Sequence, residues 1–231
     1  MECSTCQARG GGIFAGLGDA GLRLLEQIKF AHVYQRKQGL FYEGQPVAGV
    51  YCVRSGQVKV FKSTPEGKQY ILRIAQEGDV LGLEALFSSA VHSCSAEVLV
   101  KGVICFVDRA KVTDLVHSQP LVARHVMETL SRRLQESDAE RIELAERSVK
   151  ERMARLFAVL AQSHGVEEGD RVRIDLLLSR EELAEMIGAA PESAMRALAE
   201  FKRERLIQAR GREISILDLR GLVRAAHLLD R

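Results

Sequence analysis

The hydrophobic period of this chain changes beyond Val107, and that change divides it. Between Val47 and Val107 the apolar residues run or alternate in short segments. Val47–Val53, Gln57–Phe61 and Tyr70–Ile74 are separated by Arg54-Ser55-Gly56, Thr64–Gly67 and Glu77-Gly78-Asp79. Short apolar segments punctuated by Gly and Pro read as strands joined by turns, and such strands at close spacing make a small antiparallel barrel or jelly roll. Beyond Ser118-Gln119-Pro120 the step becomes three and four. Val126, Met127, Leu130 and Leu134 recur at that step, continued more loosely by Ile142, Leu144 and Val149. This is a long helix with Pro in its first turn. The reading is an α+β chain with a Cys-containing segment over 1–15, a β-roll over 16–117, a long helix over 118–147 and a compact helical unit over 148–231. A short helix over Ala20–Lys29 precedes the strands.

The last unit has the order of a winged helix-turn-helix. Ser179 with Glu182 three residues on is a capping box that opens a helix over Arg180–Ile187. Gly188 ends that helix, and Pro191 starts a second that runs to Arg205. Arg171–Asp175 alternates as a strand, and Leu206–Gln208 and Glu213–Ile216 flank Arg210-Gly211-Arg212 as a β-wing. In this arrangement the first residues of the second helix meet base edges: Glu192, Ser193, Met195 and Arg196. Glu accepts from a cytosine amino group and Arg forks onto guanine. Ser179 and Arg180 are placed for phosphate through a hydroxyl, a guanidinium and backbone amides. The whole chain carries 33 basic and 31 acidic residues, a net charge of +2, so any attraction to nucleic acid must be local. It is local: Arg196, Lys202, Arg203, Arg205, Arg210 and Arg212 stand against Glu200 and Glu204.

The long helix has two readings, a dimer seam of Val126, Met127, Leu130, Leu134 and Ser137, or a helix packed on its own roll. A polar step at Ser137, between Glu136 and Asp138, weakens a seam and would let a repositioned helix switch pairing.

The chain resembles the CRP/FNR family, bacterial regulators named for the cyclic-AMP receptor protein and the fumarate–nitrate reduction regulator. The resemblance rests on Gly39–Gly44, Val50–Val60, Gly78–Gly82 with Leu86-Phe87, Val149–Leu156, Ser179–Gly188 and Pro191–Arg196. It implies a cyclic-nucleotide-binding-like β-roll, a homodimer joined by the long helix and a pseudo-palindromic operator with TTGA-like half-sites in double-stranded DNA. It also implies RNA polymerase as a partner. Glu192 and Arg196 match reader positions common to the family, whereas Pro191 and Met195 depart from its two branches.

The resemblance also frames the signal. Its cyclic-nucleotide branch has a Glu for the ribose and an Arg-Ser pair for the phosphate. This sequence has Leu83 and Cys94-Ser95 there, so cyclic AMP is not expected. The other branch holds a 4Fe–4S cluster on three N-terminal cysteines and a remote one. Cys3 and Cys6 have the Cys-x-x-Cys spacing and Cys105 falls at the remote position. Gly12 stands where the third N-terminal ligand is expected. Cys94 is taken as the substitute, with Asp19, Glu2 or water as other partners, and Cys52 is read as a core residue. Thiol redox chemistry or an unidentified small ligand are the alternatives. An enzyme is not expected, since no phosphate-cradling loop, nucleophile elbow or His-Glu-x-x-His is present. Five cysteines, an odd number, and the lack of a signal-peptide pattern or a long apolar run lead to an expected cytoplasmic location away from membranes.

Overall fold

The computed structural model describes Cys3, Cys6, 12–88 and 91–226. The chain forms two compact units that part between Ser137 and Asp138, with 69–71 going with the second. The first unit opens with α1 (Asp19–Ile28). There follow β1 (Lys29–Tyr34), β2 (Gly39–Phe41), β3 (Gly49–Val53), β4 (Gln57–Ser63), β5 (Gln69–Ala75) and β6 (Val80–Leu81). Next come α2 (Leu83–Ser88), β7 (Ser95–Val100), β8 (Gly102–Asp108) and α3 (Arg109–Ser118). The strands make two four-stranded sheets, β1-β8-β3-β6 and β2-β7-β4-β5. Helix α4 (Pro120–Glu146) leaves this unit and continues the chain into the next.

The pleat of β3 and β8 sorts side chains onto two cores. Val53 and Ile104 join Phe41, Val58, Val60, Leu81 and Val98 between the two sheets. Val50 and Val107 face the other way. There they pack with Phe14, Leu22 and Leu25 from the N-terminal side and with Val112, Leu115, Val122 and Val126 from α3 and α4. The outer face of one sheet is thus roofed by helices from both ends of the unit.

Two edge strands bury no residue and carry no periodic signal in the sequence. Lys29 begins β1 rather than ending a helix, and β1 pairs with β8 over six residues. It lies at the sheet edge with no buried position, leaving no alternation to read. The stretch after α5 (Val149–His164) forms β9 (Gly165–Glu168), also an edge strand without a buried residue.

The second unit continues with β10 (Arg171–Ile174), α6 (Arg180–Met186), α7 (Pro191–Arg203), β11 (Ile207–Arg210), β12 (Glu213–Ile216) and α8 (Leu219–Ala225). Its sheet order is β11-β12-β10-β9. Capping boxes start α5 (Ser148 with Glu151) and α6 (Ser179 with Glu182). The turn between α6 and α7 needs Gly188, whose φ is +61°, a conformation that L side chains rarely adopt. Ala194, Ala197, Leu198 and Phe201 form the inner face of α7. Phe201 meets Phe157 of α5 edge-on at 6.3 Å between ring centroids, and both are fully buried. Among the described residues no helix is long and apolar enough to cross a membrane.

Deleting the Phe201 ring leaves a cavity at the α5–α7 junction. Phe201→Ala should destabilise the second unit by about 3–5 kcal/mol, read from its denaturant midpoint. A loss below about 1 kcal/mol would contradict this packing.

Candidate functional site

The outward face of α7 follows from burial of its inner face. Glu192 and Arg196 lie one turn apart and exposed, with Arg203 two turns beyond Arg196. Ser193 accepts from the Arg196 guanidinium at 3.2 Å, which holds that fork near the start of the helix. Met195 and Lys202 lie on the adjacent stripe. They border a hollow of about 200 Å³ with Arg180 of α6 and Gly211 at the wing tip. Arg180 donates to the Met195 sulfur at 3.4 Å. The Ser179 hydroxyl accepts from Glu182 N–H at 3.1 Å and donates to the Glu181 carboxylate. Glu181 is held below the usual carboxylate range, first by a backbone hydrogen bond and then by the Ser179 side chain, with Arg212 and Arg180 adding to it. The start of α6, the first three turns of α7 and the wing tip therefore form one basic face that brings together Ser179, Arg180, Met195 and Lys202. Glu192, Ser193, Arg196 and Arg203 adjoin it on α7.

The seam needs correction. Val126 is buried in the first unit's own outer core, and Leu130 packs against that core. Met127 and Leu134 point outward, 63% and 62% exposed, and Ser137 is half-buried. The core of its own unit claims Val126, while Met127, about 100° round the helix, faces outward.

The thiols also regroup. Cys3, Cys6, Cys52 and Cys105 border one cavity of about 60 Å³ with Phe14, Leu25, Val80 and Val107. Cys52 and Cys105 are direct partners in the β3–β8 ladder. Cys3 is buried in the outer core, its N–H donating to Glu26 at 2.5 Å, and Glu26 pairs with Lys29 at 2.8 Å. Lys29 holds the Glu26 carboxyl down at about 2. Burial pushes the Cys3 thiol up to about 12, with Glu26 adding to the rise. Burial likewise raises Cys52 and Cys105, the latter against the opposing charge of Lys29.

Cys94 does not belong to this group. It packs against the core inside the roll with Tyr34, Leu40 and Tyr51, on the other side of the sheet from the cavity. Asp19 is exposed at the start of α1 and does not border the cavity, and Glu2 lies outside the described residues. In an apolar strand Cys52 looks like a core residue; only its pairing with Cys105 distinguishes it. Among the described residues no three His, Cys, Asp or Glu are grouped to hold a single metal ion. Thiolates of a four-iron cluster each sit on a separate iron, and four thiols around an apolar cavity with Lys29 and Arg54 at its wall suit that donor set.

One further contact ties the sheet to α4. Arg133 donates to Val80 C=O at 2.6 Å and pairs with Glu84 of α2; Arg73 approaches the same carboxylate at 3.9 Å. Leu83, at the position where the resemblance puts a ribose-binding Glu, is fully buried in the outer core.

Comparison with known proteins agrees with this division. The cyclic nucleotide-binding domain matches residues 31–119 and the Crp-like helix-turn-helix domain residues 151–225. The chain is similar to the CRP-like cAMP-activated global transcriptional regulator of Mycobacterium tuberculosis, 28% identical over 93% of this chain and 96% of that protein. It is also similar to the transcriptional activator protein anr of Pseudomonas aeruginosa, 26% identical over 84% of this chain and 79% of that one. Among solved structures, TTHB099, a CRP-family transcriptional regulator of Thermus thermophilus, superposes with a TM-score of 0.72. It is 26% identical, covering 85% of this chain and 96% of that one. These relatives are transcription regulators, not enzymes.

A thiol whose pKa is raised stays neutral through physiological pH and gains reactivity only as pH climbs toward that value. In the metal-free protein, Cys3, Cys52 and Cys105 should react with iodoacetamide at pH 8 at least about tenfold more slowly than after unfolding in urea. Peptide mass mapping reads each site, and equal rates in the two states would contradict the buried thiol cluster.

Proposed function

This chain belongs to the CRP/FNR family of DNA-binding transcription regulators, and from that premise we propose a homodimeric regulator whose hold on DNA follows an iron–sulfur cluster at its N-terminal thiols. Oxygen, nitric oxide or cellular redox state is then the signal. The observation that carries this reading is the convergence of Cys3, Cys6 and Cys105 on one cavity whose wall belongs to the same core as the first turns of α4. When bound, the group supplies an oxidant-sensitive centre that ties the N-terminal segment to the sheet. The family typically acts as a dimer on DNA, and exposed Met127 and Leu134 give α4 the apolar stripe for such pairing.

The chain's own residues supply the rest. Glu26 accepts from Cys3 N–H and keeps that cysteine against the sheet. Val80 borders the cavity with its side chain and gives its carbonyl to Arg133 of α4. A shift of the sheet at Val80 is therefore felt at Arg133, four residues before the end of the first unit. In the second unit Arg196 forks onto guanine, Glu192 accepts from a cytosine amino group, and Ser179, Arg180, Lys202 and Arg203 hold phosphates. Half-sites of TTGA type, repeated with two-fold symmetry, fit this reader. A cyclic-nucleotide effector is not favoured: buried Leu83 offers no ribose acceptor, and Cys94 stands where the family's phosphate-binding Arg would be.

Titration of a fluorescent duplex carrying two such half-sites with anaerobically purified protein tests the reader. Arg196→Ala should lose about 1–3 kcal/mol of discrimination between operator and scrambled duplex; unchanged discrimination would remove Arg196 from base readout. The coupling has its own test. Wild-type affinity for operator should differ about 5–150-fold between the loaded and the air-exposed protein. Arg133→Gln should load iron normally yet bring that ratio close to one. An unaltered ratio would show that Arg133 is not the link.

A further inference from the structure

Tyr51 and Val53 belong to the core inside the roll, so the pleat sends the Cys52 side chain out on the opposite face with Val50. Its ladder partner in β8 is Cys105, and its partner on the other side, in β6, is Val80. Directly opposed residues of an antiparallel ladder have Cα atoms about 4.5–5.5 Å apart. Two thiols from different strands therefore stand side by side on one rigid surface. Cys3 and Cys6 meet the same cavity from the N-terminal segment. Gly12 borders the cavity as well, but has no side chain to donate.

We propose that Cys52 is the fourth ligand of the iron–sulfur cluster, giving two thiolates from the N-terminal segment and two from adjacent strands of the sheet. The proposal rests on the reading that a cluster binds at this cavity. Each ligation replaces an S–H bond by an S–Fe bond and releases one proton to solvent. Cys94 has no part in it, since the sheet separates its core from the cavity. A ligand on β3 also has a mechanical consequence. Cys52 pairs with Val80, and Val80 carries the carbonyl that Arg133 of α4 grips, so the ligand lies one strand from the helix contact.

The test uses the 231-residue chain, isolated without oxygen and reconstituted with ferric iron, sulfide and excess dithiothreitol as reductant. Iron and acid-labile sulfide are counted per folded chain after gel filtration. Wild type is compared with Cys52→Ser, Cys52→Ala, Cys94→Ser and Cys105→Ser, with far-UV circular dichroism and thermal unfolding as the fold check. Wild type and Cys94→Ser should hold about four irons per chain. Both Cys52 variants should lose at least half of that iron, in step with Cys105→Ser, while remaining folded. Should the serine variant aggregate, the smaller alanine decides. Four irons retained by a folded Cys52 variant overturns the assignment and leaves the cluster standing. A wild-type chain that takes up no iron overturns the cluster reading, and the assignment with it.

Discussion

In the ladder joining β3 to β8, Val50 pairs with Val107 and Cys52 with Cys105, and the pleat turns all four side chains away from the roll interior. The sensor end depends on this two-sided surface. Its inner face closes the roll with Val53 and Ile104, and its outer face receives Cys3, Ile13 and Phe14 together with α1, α3 and the first turns of α4. A slip of β3 by one residue would send Cys52 into the roll and Tyr51 out of it, so the buried apolar residues on each face specify the thiol position as firmly as they specify the fold. The thiols and α4 are joined because both pack on the same face.

The DNA-binding unit is organised by a different constraint, charge. A nearly neutral chain has no general attraction to a polyanion, so its basic residues act only where they are concentrated. They gather at the start of α6, along α7 and at the wing tip, around a hollow bordered by Arg180, Lys202 and Gly211. On the opposite side of α7, Lys150 of α5 pairs with Glu200 at 3.0 Å and Glu204 at 2.7 Å. The acidic residues that would dilute the reader face are thus drawn toward α5. Lys202 and Arg203 then share one helix with the exposed Glu192 and Arg196.

Much of this architecture is legible from local sequence. Pro120 at the head of α4, the Ser179–Glu182 capping box, Gly188 in the inter-helix turn and Pro191 at the start of α7 all act within a few residues of themselves. The exposed residues at the start of α7 follow once those helices are placed. What is not legible depends on distant partners. Edge strands β1 and β9 bury nothing and so carry no periodic signal. Val126 and Met127 look alike in an apolar stripe until α3 and the outer core claim the first of them. Cys52 and Cys94 are both cysteines of the roll, more than forty positions from the N-terminal pair. Only strand register and the side of the sheet separate them, and neither is written near the residue itself.

Amide hydrogen exchange on the full-length chain, cluster-loaded against air-exposed, tests the central claim most directly, because it reports whether the thiol cavity and α4 move together. The account predicts altered exchange at Val80–Glu84 and along α4 from Val126 to Ser137, together with the strands that carry Cys52 and Cys105. Changes confined to the N-terminal segment, with α4 exchanging identically in both states, would contradict it.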